Sequence, residues 1–163
     1  MPTARRTRTI AAPPQELWRT ISDPHHLPRW WPRVGRVEDV TGKEFTELLR
    51  TKSGKYVRAD FTIVQAEAAA GRLRWEQRVA GSPFERILAS AETTIVLAET
   101  AGLDGGEGDT HTQVTIELDQ TLKGGFPRFF STMPRLGSPL VKRAAGNTLE
   151  EALDGLERIC GRT

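Results

Sequence analysis

The sequence predicts an α+β fold in which a curved antiparallel sheet of seven strands wraps around a long C-terminal helix, with two short helices after the first strand. Polar and apolar residues alternate in seven segments, turn-forming residues separate most of these segments, and a long amphipathic stretch follows them. The chain has 163 residues, 37% hydrophobic and 27% charged, which suits one domain over residues 1–163.

The N-terminal elements are short. Residues 4–11 alternate arginine with threonine, which predicts a first strand with one polar face. Two consecutive prolines then suit the first turn of a helix, and residues 15–22 place Leu17 and Ile21 on one face of it. Prolines punctuate residues 25–32, so only one further helical turn is expected there.

Strands separated by turn signals predict an antiparallel meander over the middle of the chain. The predicted strands cover residues 34–41, 44–51, 55–66, 72–79, 90–99 and 110–122. The alternation within these strands predicts a sheet with one apolar face that points inward and one charged face that points outward. The residues predicted to face inward include Val57, Ala59, Phe61, Ile63, Leu73, Trp75, Gln77, Val79, Val114, Ile116 and Leu118.

The C-terminal helix is predicted over residues 139–160, with Ser138 as a possible N-cap and Gly161 as its end. One apolar stripe on this helix should be buried against the sheet. It consists of Val141, Ala145, Leu149, Ala152, Leu156 and Ile159.

Composition and charge exclude several classes of protein. No apolar run approaches the ~20 residues that cross a bilayer, and the N-terminus has no apolar signal segment, so a cytoplasmic protein is expected. Cys160 is the only cysteine, which rules out an intrachain disulfide. The net charge is +2 and the basic residues are dispersed, so no nucleic-acid partner is expected.

Histidines and acids do not form a recognisable metal motif. Asp23, His25 and His26 lie together beside a proline turn, but adjacent histidine side chains point apart on most backbones. We expect a solvated turn there, with no metal and no cofactor in the protein.

The sequence resembles a known family in its first quarter. The stretch TIAAPPQELWRTISDP at residues 9–24, LPRWWP at 27–32 and Val37-Glu38 resemble the opening of the polyketide cyclase/dehydrase and lipid-transport family of the START-like (SRPBCC) superfamily. The resemblance implies the helix-grip fold. It also implies that Trp30 or Trp31 closes one end of the sheet. The family includes aromatase/cyclases, lipid and hormone carriers and co-chaperones, so the resemblance does not fix the reaction.

A curved sheet around a single helix leaves a cavity, and the inward residues are the candidates for its lining. Gln77 shares an inward face with Trp75, where its amide could orient a ligand or could be satisfied by backbone or water. Thr93 is assigned inward with Ile95 and Leu97, although Thr94 and Val96 alternate almost as well. The predicted ligand contacts on the early part of the chain and the strands are Trp31, Phe61, Trp75, Gln77, Thr93 and Ile95.

An aromatic cluster precedes the long helix in a segment rich in glycine and proline. Basic residues, including Lys123, Arg128 and Arg135, are interleaved with it. The cluster is interpreted as a lid over the cavity, or as a surface for peripheral membrane or protein contact. Its apolar members, also predicted to contact the ligand, are Phe126, Phe129, Phe130 and Met133.

Three functions remain open from the sequence. The first is a carrier or sensor of a hydrophobic small molecule such as a lipid, a polyketide or another aromatic or isoprenoid compound. The second is a polyketide aromatase/cyclase or dehydratase, with Gln77 or Arg86 polarising a carbonyl. Arg86 and Glu85 are the nearest candidates at the cavity mouth. The third is a protein-interaction or co-chaperone module in which the cavity is vestigial.

Overall fold

The computed structural model describes residues 3–101, 110–123 and 137–162. Seven strands and three α-helices follow one another in the predicted order, with one 3₁₀ turn at Pro24–His26 between the first two helices. The strands are β1 (Ala4–Ile10), β2 (Val34–Glu38), β3 (Glu44–Arg50), β4 (Tyr56–Glu67), β5 (Arg72–Arg78), β6 (Leu88–Ala101) and β7 (Thr110–Leu122). The helices are α1 (Pro14–Ile21), α2 (Leu27–Trp30) and α3 (Gly137–Cys160).

The strands form one antiparallel sheet in the order β1-β7-β6-β5-β4-β3-β2. Each strand from β2 to β7 pairs with its neighbour in sequence, and β1 returns to pair with β7, with Ala4 opposite Leu118 and Ile10 opposite Thr112. The predicted meander is therefore confirmed. Because side chains alternate between faces, this register puts most of the buried apolar side chains of the strands on one concave face.

Several boundaries differ from the sequence-based ones for local reasons. Strand β2 ends at Glu38 because Asp39 takes a left-handed φ of 50°, which breaks extended pairing. Strand β6 begins at Leu88, two residues earlier than expected. Helix α3 begins at Gly137, so Ser138 lies inside the helix, and its prediction as the N-cap is wrong.

The hydrophobic core lies between the concave face and the C-terminal half of α3. Leu149, Leu153 and Leu156 are fully buried, and Ala152 lies beside them. They pack in the same cluster as Ile10 on β1 and apolar residues of α1 and α2. The predicted apolar stripe is confirmed there, while Leu153 widens it beyond the expected positions.

Ion pairs fix α3 across the outer strand β1. The guanidinium of Arg8 donates to Glu150 at 2.7 Å and to Asp154, and Arg6 pairs with Glu150 at 3.2 Å. Because both acids lie on α3, these bonds join the helix to β1. Charged pairs also lie on the convex face, where Arg58 meets Asp60 at 3.1 Å.

Side-chain size changes along α3, and this change makes room beneath its N-terminal half. Leucines fill the space from Leu149 onward, whereas Ala144, Ala145 and Gly146 form the preceding turn. Short side chains cannot reach the concave sheet, so a hollow is left between the helix and the sheet.

Among the described residues, no helix has the length and apolar character needed to cross a bilayer.

Candidate ligand-binding site

A cavity of about 610 Å³ lies between the concave sheet and the N-terminal half of α3. Strands β3 to β7 and the segment after α2 supply its sheet-side walls, and α3 contributes Val141, Ala144, Ala145 and Thr148. The volume falls in the range of small-molecule sites, roughly 300–1,000 Å³. Most lining side chains are apolar, so the cavity favours a largely hydrophobic occupant.

The rings of Trp31, Phe61 and Trp75 line the cavity, and Phe45, which is not among the described lining residues, packs against them. Trp31 meets Trp75 edge-on with ring centroids 5.8 Å apart, and Phe45 stacks on Phe61 at 5.1 Å. Phe45 also meets Trp75 edge-on at 6.0 Å, which joins the two pairs. Rings held in such contacts have little rotational freedom, so they present a rigid apolar surface.

Glu47 is the most unusual residue of the lining. It occupies the inward face of β3 and is only 3% exposed. Within the described residues its carboxyl makes no hydrogen bond or ion pair. Burial without a compensating partner raises the pKa of Glu47 to about 8, so at neutral pH the group is largely a neutral acid.

Gln77 and Thr93 also line the cavity, and neither side chain forms a hydrogen bond inside the described part of the chain. The Nε2 atom of Gln77 is buried and unpartnered, and Gln77 faces Phe61 across the β4–β5 pair. Thr93 is 4% exposed and lies between Trp75 and Leu118 on the neighbouring strands. Polar groups are seldom left unpaired inside proteins, so each is a candidate contact for a bound molecule.

Most of the predicted ligand contacts that lie in described residues do line the cavity. The structure brings together Trp31, Phe61, Trp75, Gln77 and Thr93. Ile95 instead lies in the fully buried core and is not among the described residues that line the cavity.

The remaining candidates on strands and turns lie elsewhere. Arg86 is exposed and outside the described lining, although its neighbours Phe84 and Ile87 belong to it. The carboxylate of Glu85 accepts a bond from the Gly81 N–H at 3.2 Å and so closes its own turn.

The histidine pair belongs to a capped turn. Asp23 accepts from the backbone N–H of His25 at 3.1 Å, and its carboxylate lies 2.7 Å from Nδ1 of the same residue. These contacts with His25 and His26 lower the pKa of Asp23. In the part of the chain that the structure describes, no group of three or more potential ligands is placed to hold a metal.

The predicted aromatic cluster before α3 lies in a part of the chain that the structure does not describe. Phe126, Phe129, Phe130 and Met133 lie outside the described residues, and so does Arg135. The interpretations of that segment as a lid or as a contact surface stay predictions.

Glu47 is a lining residue that the sequence pattern does not predict. It lies between Phe45 and Leu49 at the two-residue spacing of a strand, which is a signal for the inward face. Thr46 and Leu48 make the opposite face look equally apolar, however, and Thr46 is also buried, with its hydroxyl donating to Asp60 at 2.6 Å. Acids are rarely fully buried, which further favours an outward assignment of Glu47 from sequence alone.

Solved structures share this fold over almost the whole chain. A START superfamily protein from Mycobacterium smegmatis is 18% identical, with a TM-score of 0.70 over 96% of this chain and 94% of its own. A protein from Thermus thermophilus is 23% identical, with a TM-score of 0.68 over 95% of this chain and 94% of its own. At these identities the similarity shows the fold, which is the START-like helix-grip fold.

A third solved structure comes from a biosynthetic protein. The di-domain ARO/CYC BexL from the BE-7585A biosynthetic pathway is 16% identical, with a TM-score of 0.68. The match covers 94% of this chain and 44% of that one. No match is found among curated proteins.

The family model described as polyketide cyclase / dehydrase and lipid transport matches residues 1–161. This match spans nearly all of the chain, including the cavity-lining strands and α3. The family and the fold both fit a domain that binds a hydrophobic ligand. The chain therefore belongs to the polyketide cyclase/dehydrase and lipid-transport family of the START-like (SRPBCC) superfamily.

Proposed function

We propose that this protein encloses a hydrophobic small molecule in the cavity beneath α3 and acts as a cytoplasmic carrier or sensor of it. The ligand class comprises lipids, polyketides and other aromatic or isoprenoid compounds. Trp31, Phe61, Trp75, Gln77 and Thr93 are the proposed contacts, with Glu47 added to them.

The observation that carries this proposal is the cavity of about 610 Å³ with its mainly apolar wall. Transfer of an apolar molecule from water into such a space gains roughly 25 cal/mol per Å² of buried surface. The rigid rings of Trp75 and Phe61 supply part of that surface without a large entropic cost. The few polar groups then orient the ligand.

Native mass spectrometry of the protein purified from its own cells tests this proposal. A bound small molecule should appear as added mass that is lost on denaturation, and its fragmentation would identify the ligand class. Ala91→Phe places a ring in the cavity lining of β6, whereas Ala98→Phe places the same ring at an exposed position of that strand. The added mass should be missing from Ala91→Phe only. Its absence from the wild-type protein would count against a carrier that is loaded in the cell.

A second candidate function is cyclisation or dehydration of a polyketide chain in the same cavity. The observation that favours it is Glu47, because a largely protonated acid in an apolar site can donate a proton or a hydrogen bond to a carbonyl. A panel of polyketide-like substrates should then be turned over, and Glu47→Gln or Gln77→Ala should slow the reaction. Arg86→Ala serves as the comparison, and equal rates in all variants would exclude this mechanism.

A further inference from the structure

Three of the polar side chains that line the cavity lie on different strands and point inward. Glu47 is on β3, with Val37 and Ala59 opposite it, Gln77 is on β5, and Thr93 is on β6. Thr93 faces Trp75 in the β5–β6 register, and Gln77 is the next inward residue after Trp75, so Gln77 and Thr93 are diagonal neighbours. All three side chains line the same cavity, so a single ligand can meet more than one of them.

Leaving these groups unpaired is costly. A buried polar group without a hydrogen bond loses its hydration and gains nothing in return. A leucine at position 47 would fill the same face of β3 without this penalty. An acid, an amide and a hydroxyl that all line a mainly apolar space therefore indicate a ligand with a polar atom to match.

The charges around the cavity favour an uncharged ligand. The other charged residues of its described lining are Arg33, Arg50 and Lys52, all at exposed positions in the segment after α2 and around the end of β3. The lining from β4 to β7 and from α3 carries no charge in the described residues. A cationic ligand would be repelled by those three basic groups, and an anionic group held deep in the cavity would lose its hydration beside a wall that carries no compensating charge.

Hydrogen-bond chemistry selects the polar atom. A protonated carboxyl has an O–H to donate, and the unpartnered Nε2 of Gln77 has N–H donors. Two donors that face an apolar space are complemented by an acceptor without a charge. We propose that the cavity selects a neutral, largely apolar molecule that carries a carbonyl oxygen, held by the carboxyl of Glu47 and the amide of Gln77. This inference rests on the proposed function and names its ligand class more closely.

A matched set of rigid tricyclic probes tests the inference. Fluorene, 9-fluorenone and 9-aminofluorene differ at one carbon, which carries CH₂, a carbonyl or an amine. Equilibrium dialysis of the wild-type protein against each should show 9-fluorenone bound about tenfold more tightly than fluorene, the effect of a buried hydrogen bond. The amine should bind no better than fluorene.

Substitutions assign the preference to the two residues. Glu47→Leu and Gln77→Leu should each reduce the preference for the ketone. Both should keep the binding of fluorene, because leucine has a similar size and leaves the cavity wall apolar. Glu47→Gln should keep the preference, since an amide still donates. Raising the pH from about 6 to about 9.5 should weaken ketone binding in the wild type but not in Glu47→Gln, because only the acid ionises.

The outcomes separate the two proposals. Equal binding of fluorene and 9-fluorenone by the wild type, or a ketone preference that survives Glu47→Leu and Gln77→Leu, would overturn the inference and leave the hydrophobic carrier intact. Tightest binding of 9-aminofluorene would replace it with an ion pair at Glu47. Failure of all three probes to bind would count against the proposed function itself.

Discussion

Burial of Glu47 makes the stability of the unliganded protein depend on pH. Its pKa rises from 4.5 in the unfolded chain to about 8 in the folded one, because the charged form loses hydration in the cavity wall. The folded state thus holds this proton more tightly than the unfolded state. The contribution of this group to folding stability is greatest below about pH 4.5, falls as the pH rises from there to about 8, and then levels off because the carboxyl is ionised in both states.

Glu47→Gln should remove that dependence. The free energy of unfolding, measured with urea at about pH 5 and about pH 9, should decrease over this interval in the wild type. The decrease should exceed any change in the variant by on the order of 3 to 5 kcal/mol. The glutamine keeps the shape and polarity of the side chain, so only ionisation is changed. Parallel pH profiles for the two proteins would mean that water or a shift of β3 already solvates the carboxylate.

Residue-level prediction from sequence succeeded where alternation was unambiguous. The pattern of β5 predicts that Trp75 and Gln77 face inward, because every second residue of this strand is charged. Glu47 was missed because both faces of β3 look apolar, and the burial of Thr46 on the opposite face explains that ambiguity. A strand buried on both faces carries no alternation from which to identify its cavity side.

At the scale of elements, the close packing of α3 on α2 depends on a glycine. A Cβ on Gly155 would lie 2.7 Å from Cα and 2.9 Å from the carbonyl carbon of Trp30. Neither atom belongs to a flexible side chain, so α2 and α3 would have to move apart. Gly146, in the same helix, differs because a Cβ there would meet only the side chain of Arg6, with Cζ at 3.0 Å.

These two glycines make a matched pair for a stability measurement. Gly155→Ala should lower the free energy of unfolding by about 2 kcal/mol through overpacking. Gly146→Ala should leave it unchanged or raise it by up to about 1 kcal/mol, since alanine favours the helix and the Arg6 guanidinium can move. Chemical denaturation of both variants checks the pair, and an equal loss in both would show that helix packing at Gly155 is not the cause.

The sequence predicts the type and order of the elements more closely than the residues at which they begin and end. Seven strands, two short helices and the long helix follow from periodicity and turn residues, which are local properties of the chain. The early start of α3 and the early end of β2 depend on single backbone conformations, such as the left-handed Asp39, that composition does not reveal.

At the scale of the whole molecule, the cavity results from an imbalance of volume. The sheet curves around a helix whose C-terminal half carries Leu149, Leu153 and Leu156, whereas its N-terminal half carries small residues such as Ala145. The core and the cavity are thus two ends of one interface, one filled and one open. The order of elements in the sequence predicts a cavity between sheet and helix. Its location under the N-terminal half of α3 follows only from how the side chains pack in three dimensions.

A titration with N-phenyl-1-naphthylamine, an uncharged apolar fluorophore, tests most directly whether the cavity binds a hydrophobic molecule. We predict saturable binding of one molecule per chain by the wild type and by Ala98→Phe, and binding weakened at least about tenfold in Ala91→Phe because its ring occupies the cavity. Thermal unfolding of the three proteins shows whether each is folded. No binding by the folded wild type, or equal binding by the folded Ala91→Phe protein, would contradict the claim that this cavity receives a hydrophobic ligand.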